Sequence, residues 1–408
     1  MKICIANLYY NIAMAQSSPS AFLERMPMLR HLPASLAAAG HQVSVLQLYP
    51  EAALIPSENV DYHFIRPAAL EKAWARAAGR LNGRVWTRHV PATRAARHIL
   101  ALKPDVVHFH GLTMNASLRT LQVLRGKDGP VIVGQYHGGR PAEGRVSRRL
   151  QKQALKQVQR ALFGRGEAAD RFVDAGLLER QQVVTIMDKS TAMTMASRPQ
   201  ARKESAMHGS PVFLWFANLD PDRDPMTAVQ GFEHILHRWP KAQLYVYYSG
   251  DALLTQLRAY VIARPALAGH VHFRGRPPDG SSETIFNSAD FLLQTDRRVT
   301  NGHVVLEAMA CGVIPIVSDV PPFRSLVDYG RCGFLFPQGE PMAMARQVLE
   351  FSPGKIAGRA ALVHDWFENA YSYDALAGLL LEIYREAIAE RRIQNEPLGH
   401  TLTEVASN

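Results

Sequence analysis

The chain has few cysteines and no long apolar segment. Its 408 residues include three cysteines, Cys4, Cys311 and Cys332, which are far apart and in no metal-ligand spacing. This scarcity argues against a disulfide framework or a zinc site and fits a reducing compartment. No apolar run reaches the roughly 20 residues that cross a bilayer. The N-terminus has the pattern of a strand and lacks the apolar core of a secretion signal. We therefore expect a cytoplasmic protein.

Acidic residues are scarce in the first half. Residues 1–205 contain 29 Lys and Arg against 14 Asp and Glu, whereas the remainder contains 17 basic and 22 acidic residues. Residues 72–103 carry eight basic residues and no acid, with Arg76, Arg80 and Arg84 four residues apart. Anionic partners should therefore bind the first half. Nucleic acid is not an expected partner, because no helix-turn-helix, zinc or aromatic-platform motif is recognisable.

A second basic stretch has helical periodicity. The pattern predicts an amphipathic helix from Arg145 to Phe163, and a strand from Ala161 to Arg165 follows it. The basic face of this helix consists of Arg145, Arg149, Lys152, Lys156 and Arg160. One interpretation is a solvated surface. The other is a surface that binds an anionic membrane or another polyanion.

The length predicts two α/β domains, since 408 residues exceed what one core normally serves. Strand and helix patterns alternate through both halves. We place the first domain at residues 1–190, a polar and irregular linker at 191–210, and the second domain at 211–372. A long helix at 373–392 and a tail at 393–408 follow.

The stretch Asp290–Asp319 has the pattern strand, polar loop, helix, tight turn, strand. The first strand is Phe291–Gln294, the helix begins near Gly302, and Cys311-Gly312 ends it. A helix that starts after a glycine-bearing loop at the end of a parallel strand is a natural anion site. Glu307, in its second turn, could accept hydrogen bonds from two vicinal hydroxyls, and phosphate plus ribose describes a nucleotide. The alternative is a buried unit in which Glu307 is merely solvated.

The run Leu306–Gly312, with the sequence LEAMACG, carries a family resemblance. It is similar, without a gap, to the donor-binding core of the family-four retaining glycosyltransferases of GT-B fold, and Gly302 stands at the family's second loop glycine. The family's first glutamate, which usually contacts the donor sugar, falls on Val299, and its first loop glycine falls on Thr300. The resemblance implies two Rossmann-like domains with parallel sheets facing across a cleft. It also implies that helix 373–392 crosses back to the first domain.

The resemblance further implies a donor site assembled from several segments. The candidate catalytic residues are His137, which follows the predicted strand 130–135, and Arg223, which stands where the family reaches the diphosphate. Asn218 replaces an arginine common in the family. The predicted donor-binding residues are Asn218, Arg223, Gly275, Arg276, Val299, Asn301, Gly302, His303, Val304 and Glu307.

Neither a cofactor nor a metal is expected, because GT-B enzymes generally need none. Two overlapping Asp-x-Asp triplets at Asp220–Asp224 could suggest a metal site, but their position before a helix favours helix caps. His108 and His110 could line the cleft, although core or hydrogen-bonded histidines are the favoured interpretation.

The predicted function is transfer of a sugar from a nucleotide-diphosphate sugar to an acceptor with retention, in cell-envelope polysaccharide or glycolipid synthesis. The expected partners are the nucleotide sugar, a sugar or lipid-linked acceptor, and an anionic membrane surface. Peripheral attachment to the inner face of the cell membrane would follow. Val299 and Asn218 leave one alternative open, a degenerate relative that binds nucleotide sugar or a partner without transfer.

Overall fold

The computed structural model describes residues 1–8, 17–66, 93–113, 115–124, 129–187, 189–298 and 302–395. These residues divide into two compact units. The first is drawn from Met1–Asp188 and Leu376–Asn408, and the second from Lys189–Ala375. Each unit has its own sheet.

The first unit contains an eight-stranded sheet. Its strands are β1 (Lys2–Asn7), β2 (Gln42–Leu48), β3 (Ala53–Ser57), β4 (Val60–Ile65), β5 (Val106–His110), β6 (Val131–Gln135), β7 (Arg160–Phe163) and β8 (Val183–Thr185). Their order is β3-β4-β2-β1-β5-β6-β7-β8. Every pair is parallel except β3 with β4. The central strands are buried along nearly their whole length, which explains their continuous apolar runs.

The described helices before residue 189 differ in places from the sequence prediction. They are α1 (Pro19–Glu24), α2 (Pro27–Ala38), α3 (Thr93–Leu102), α4 (Asn115–Val123), α5 (Arg145–Leu155) and α6 (Gly166–Asp174). The pattern over residues 21–39 suggests one helix, but Pro27 begins a second one. The prediction of a helix from Arg145 to Phe163 is wrong beyond Leu155, because the chain turns there and Arg160 begins β7. Arg160 therefore lies outside the basic face of α5.

The second unit contains a six-stranded sheet in which every pair is parallel. Its strands are β9 (Val212–Asn218), β10 (Gln243–Ser249), β11 (Val271–Gly275), β12 (Phe291–Gln294), β13 (Ile314–Ser318) and β14 (Phe334–Phe336). The helices are α7 (Arg198–Ser205), α8 (Pro225–Arg238), α9 (Leu254–Ile262), α10 (Ser282–Ser288), α11 (His303–Ala310), α12 (Pro321–Leu326), α13 (Pro341–Leu349) and α14 (Ile356–Ala370). The strand order is β11-β10-β9-β12-β13-β14, so the connections change direction at β9.

The segment 191–210 is not the irregular linker that its composition suggests. It contains α7, and its Arg202 donates to Asp290 Oδ2 at 2.5 Å. The same Asp290 oxygen accepts from the amide of Val212 at the start of β9. Asp290 therefore connects α7 to the start of β9. The segment 191–210 belongs to the second unit.

The last described helix, α15 (Tyr373–Asn395), enters the first unit at Leu376. There the hydroxyl of the buried Tyr384 lies 2.7 Å from His108 Nδ1, and Glu390 forms an ion pair with Arg160 of β7. The ion pair with Glu390 of α15 thus helps to hold Arg160 at the start of β7. No helix in the described ranges combines the length and the apolar character needed to span a bilayer.

Candidate functional site

A cavity lies at the carboxyl ends of three neighbouring strands of the second sheet. Its volume is about 420 Å³, and its walls include Phe216–Asn218 of β9, Tyr247–Ser249 of β10 and Gln294 of β12. These strands meet where the strand order reverses. Open parallel sheets bind ligands at such a switch point, outside the carboxyl ends of the strands.

The first turn of α11 forms one wall of the cavity through Gly302, His303, Val304 and Val305. Gly302 caps the helix at φ +66°, and a Cβ there would lie 2.6 Å from Leu326 Cδ1. Only glycine therefore fits this cap without strain. Because the N-terminus of a helix carries partial positive charge, this wall favours an anion.

Glu307 lies one turn further along α11 and does not itself line the cavity. Its carboxylate Oε1 is 3.3 Å from Nε2 of His303, and its side chain is 16% exposed. Burial raises the pKa of Glu307 to about 7. Burial, together with the nearby positive charge of Lys189, lowers the pKa of His303. The carboxylate of Glu307, which is predicted to bind the nucleotide, therefore lies in an environment that disfavours its charged form.

Replacement of Glu307 by glutamine should stabilise the fold and weaken nucleotide binding. In the wild type, the pKa of Glu307 is about 7 in the folded protein and near 4.5 in the unfolded chain. The free energy of unfolding is therefore highest below pH 4.5 and falls as the pH rises to about 7. Glu307→Gln removes this loss, so its free energy of unfolding should exceed that of the wild type at pH 8 by roughly 2 kcal/mol. The two proteins should converge near pH 4. Denaturant unfolding at several pH values measures this difference, and equal curves at pH 8 would contradict it.

Arg223 and Arg276 bring positive charge to the cavity wall. Arg223 ends a short 3-10 turn, Pro221–Arg223, whose cap is the side chain of Asp220. Its NH1 lies 3.1 Å from Oδ1 of Asp296, directly after β12. A guanidinium in this position can bind a diphosphate with its planar fork of donors.

The aspartates around Arg223 cap helical turns or form ion pairs with arginines. Asp220 accepts from the amide of Arg223, and Asp224 caps α8 by accepting from the amide of Thr227. Asp224 also pairs with Arg297 at 2.8 Å, and Asp222 pairs with Arg298 at 3.3 Å. The prediction of helix caps is confirmed for Asp220 and Asp224. Over the described ranges, no cluster of three or more His, Cys, Asp or Glu side chains is placed to hold a metal ion.

Several residues of the cavity wall were not predicted from the sequence. Phe216 and Tyr247 place stacked rings 6.2 Å apart at the ends of β9 and β10. Ser249 donates to Asn218 Oδ1, so the predicted Asn218 is fixed by a residue that was not predicted. A polar residue at the end of an apolar strand, such as Ser249 or Gln294, is the signal that could have located them.

The predicted donor-binding residues fall into three groups. Asn218, Arg223, Arg276, Gly302, His303 and Val304 meet at the cavity. Gly275 ends β11 immediately before Arg276, and Glu307 contacts His303. Val299 and Asn301 lie outside the described residues.

His137 belongs to the first unit, where it is exposed just after β6. Its Nε2 lies 2.7 Å from Nδ1 of the buried His110, and the two rings stack at 4.9 Å. The ring of His108 also stacks with that of His110. Burial lowers the pKa of His108 to about 3 and that of His110 well below its usual value. Both are therefore neutral core histidines, as predicted, and His137 is the member of this stack that reaches the surface.

Two family matches cover most of the chain. Residues 28–186 match the family described as Glycosyltransferase Family 4. Residues 210–352 match the family described as Glycosyl transferases group 1. The first match includes β2–β8 of the first sheet, and the second includes all six strands of the second sheet.

Two of the similar proteins are named mannosyltransferases. The chain is 27% identical over 313 residues to a phosphatidyl-myo-inositol mannosyltransferase of Mycobacterium tuberculosis, covering 74% of this chain and 75% of that protein. It is 22% identical over 361 residues to the GDP-mannose:cellobiosyl-diphosphopolyprenol alpha-mannosyltransferase of Xanthomonas oryzae, covering 81% and 90%.

Solved structures share the fold. A glycosyltransferase from Rickettsia africae aligns with a TM-score of 0.63 at 12% identity, over 95% of this chain and 98% of that one. An Anabaena protein solved in complex with UDP aligns with a TM-score of 0.60 at 13% identity, over 95% and 100%.

Two α/β units with largely parallel sheets, one of them with a cavity at its switch point, define a Rossmann-like architecture. The chain belongs to the group 1 glycosyltransferases of GT-B fold. The resemblance that the LEAMACG run indicated is confirmed.

Proposed function

We propose that this glycosyltransferase moves a sugar from a nucleotide-diphosphate sugar to an acceptor with retention of anomeric configuration. The observation that carries the proposal is the cavity in which Arg223, Arg276 and the first turn of α11 converge. A diphosphate is the ligand chemistry that such a convergence favours. The aromatic rings at the ends of β9 and β10 offer apolar surface for a base.

The chemistry of transfer follows from charge on the leaving group. No carboxylate lines the cavity among the described residues, so the wall offers cations and helix amides in place of a covalent nucleophile. As the bond to the sugar breaks, negative charge develops on the diphosphate, and groups already aimed at it stabilise that state most. His137, exposed just after β6, is proposed as a second catalytic residue. We also propose that transfer needs no metal, since Asp220, Asp222 and Asp224 already serve as caps and ion-pair partners.

The acceptor is proposed to be a sugar or a lipid-linked molecule of a cell-envelope polysaccharide or glycolipid. The names of the similar mannosyltransferases, one for phosphatidyl-myo-inositol and one for a diphosphopolyprenol, support this class. The exposed basic side chains of α5, with the exposed Val146 and Leu150 beside them, support peripheral attachment to the inner face of the cell membrane.

Calorimetry with UDP, GDP and their glucose and mannose conjugates, followed by a transfer assay with EDTA present, tests this proposal. We expect one nucleoside diphosphate to bind clearly better than the other. The free diphosphate should bind about as tightly as its sugar conjugate, because Val299 replaces the glutamate that contacts the sugar in the family. Transfer with retained configuration would support the proposal. Donor binding without transfer or donor hydrolysis would favour the degenerate relative, and no binding of any donor would contradict both.

A further inference from the structure

A fully buried carboxylate lies behind the cationic wall of the cavity. Asp296 is 0% exposed, whereas the Arg223 side chain with which it pairs is 27% exposed and lines the cavity. A guanidinium has five N–H donors in one plane, and Arg223 donates to Asp296 through NH1 at 3.1 Å. Within the described residues, Nε and NH2 of Arg223 have no hydrogen-bond partner. Among the described residues, Arg223 is thus held through NH1, and its other donors are available to a ligand.

Asp296 is in turn held by Gln294, the last residue of β12. Nε2 of Gln294 donates to Asp296 Oδ2 at 2.9 Å, and because a carboxylate only accepts, the orientation of the amide is fixed. The other end of this amide, Oε1, is buried without a hydrogen-bond partner. An unsatisfied buried acceptor is destabilising, because it has lost its hydrogen bonds to water. The Gln294 amide nevertheless keeps this orientation, which indicates that its Nε2 donor is used to hold Asp296.

The backbone around this pair is also fixed. Ser318 Oγ donates to the carbonyl of Asp296 at 2.6 Å. Thr295 Oγ1 lies 2.8 Å from the carbonyl oxygens of both Arg223 and Asp224. The loop after β9 and the loop after β12 therefore hold each other in register, with the Arg223–Asp296 pair between them.

We propose that Asp296 is a positioning residue for the diphosphate and acts through Arg223, with Gln294 fixing the carboxylate. This inference rests on the proposed function, since a diphosphate is the ligand expected at Arg223. An unrestrained arginine loses side-chain entropy when it binds a ligand, and a restrained one has already lost it. The pair Asp296–Gln294 fixes the guanidinium plane so that its free donors face the cavity.

Asp296→Asn isolates this role with little change of shape. An asparagine keeps one oxygen for Arg223 NH1, and a flip of the Gln294 amide lets its unpartnered oxygen accept from the new amide. The variant should therefore fold, which thermal unfolding checks. Binding of UDP or GDP, whichever the wild type prefers, should weaken about tenfold, the size of one charge-assisted hydrogen bond. Binding of the corresponding nucleoside should be unchanged, because it has no phosphate for Arg223 to contact.

A double-variant cycle separates positioning from a general structural effect. In an Arg223→Met background, Asp296→Asn should cause no further loss of diphosphate affinity, because the residue through which it acts is gone. Glu233→Gln, which removes the carboxylate from the remote Arg264–Glu233 pair of the same unit, is the matched control and should bind like the wild type.

The outcomes distinguish this inference from the function on which it rests. If the wild type binds neither UDP nor GDP, the proposed function fails and this inference fails with it. If the wild type binds but Asp296→Asn weakens diphosphate and nucleoside equally, or its effect adds to that of Arg223→Met, only the positioning role is overturned.

Discussion

Arg223→Ala is expected to lower kcat/KM for sugar transfer by about two orders of magnitude, the effect of removing one preorganised group from a developing negative charge. Arg223→Lys should lose less, roughly tenfold, because it keeps the charge and loses the planar fork. The reason lies in the cavity wall, where Arg223 presents free donors beside the N-terminus of α11. Initial rates at varied donor concentration measure both variants.

The buried partner of Arg223 makes a stability control necessary. Removing the guanidinium leaves Asp296 buried without its cation, and breaking a buried pair costs about 3–5 kcal/mol. The double variant Arg223→Ala/Asp296→Asn should recover most of this stability and none of the transfer activity. Arg264→Ala, at a half-buried ion pair whose residues do not line the cavity, should transfer like the wild type. If Arg223→Ala and Arg223→Lys both retain full activity in folded protein, the diphosphate binds elsewhere.

The strand–helix–strand unit at the centre of the site was predictable because its signals are local. An apolar run gives β12, a glycine gives the left-handed cap of α11, and Cys311-Gly312 gives its end. The prediction of an anion site at the start of α11 followed from these local elements alone. Nothing in that stretch predicted the Gln294–Asp296–Arg223 chain, since Arg223 is more than 70 residues away in the sequence and meets Asp296 only after the sheet has formed.

The segment from Lys156 to Phe163 shows the opposite case. Its apolar residues suit both a helix and a buried strand, so periodicity alone extends α5 too far. What decides the structure is the place of β7 between β6 and β8, together with the pairing of Arg160 with Glu390, 230 residues away in the sequence. Arg76, Arg80 and Arg84 of the first basic segment lie outside the described residues.

The basic face that remains on α5 should hold the protein at an anionic bilayer. Arg145, Arg149, Lys152 and Lys156 are exposed at helical spacing, and Val146 and Leu150, 74% and 51% exposed, follow the next stripe of the helix. The opposite side, Gln151, Ala154 and Leu155, is buried. Each basic residue near an anionic surface contributes roughly 1 kcal/mol. Reversing Arg149, Lys152 and Lys156 to Glu should therefore lower the partition coefficient onto phosphatidylserine-containing vesicles by about 100-fold or more.

Sedimentation with vesicles at two salt concentrations measures this effect. The wild-type protein should bind less at high salt, because screening shortens the reach of its charges. Val146→Ser/Leu150→Ser should also bind less, but with the salt dependence preserved, since it removes only apolar contact.

Reversal of Lys241, Arg258 and Lys355, which are exposed in the second unit, changes the net charge equally and should leave binding nearly intact. Equal losses from both triple reversals would mean that net charge alone attracts the protein. Wild-type protein that stays in the supernatant at low salt would make α5 a solvated surface and favour a soluble acceptor.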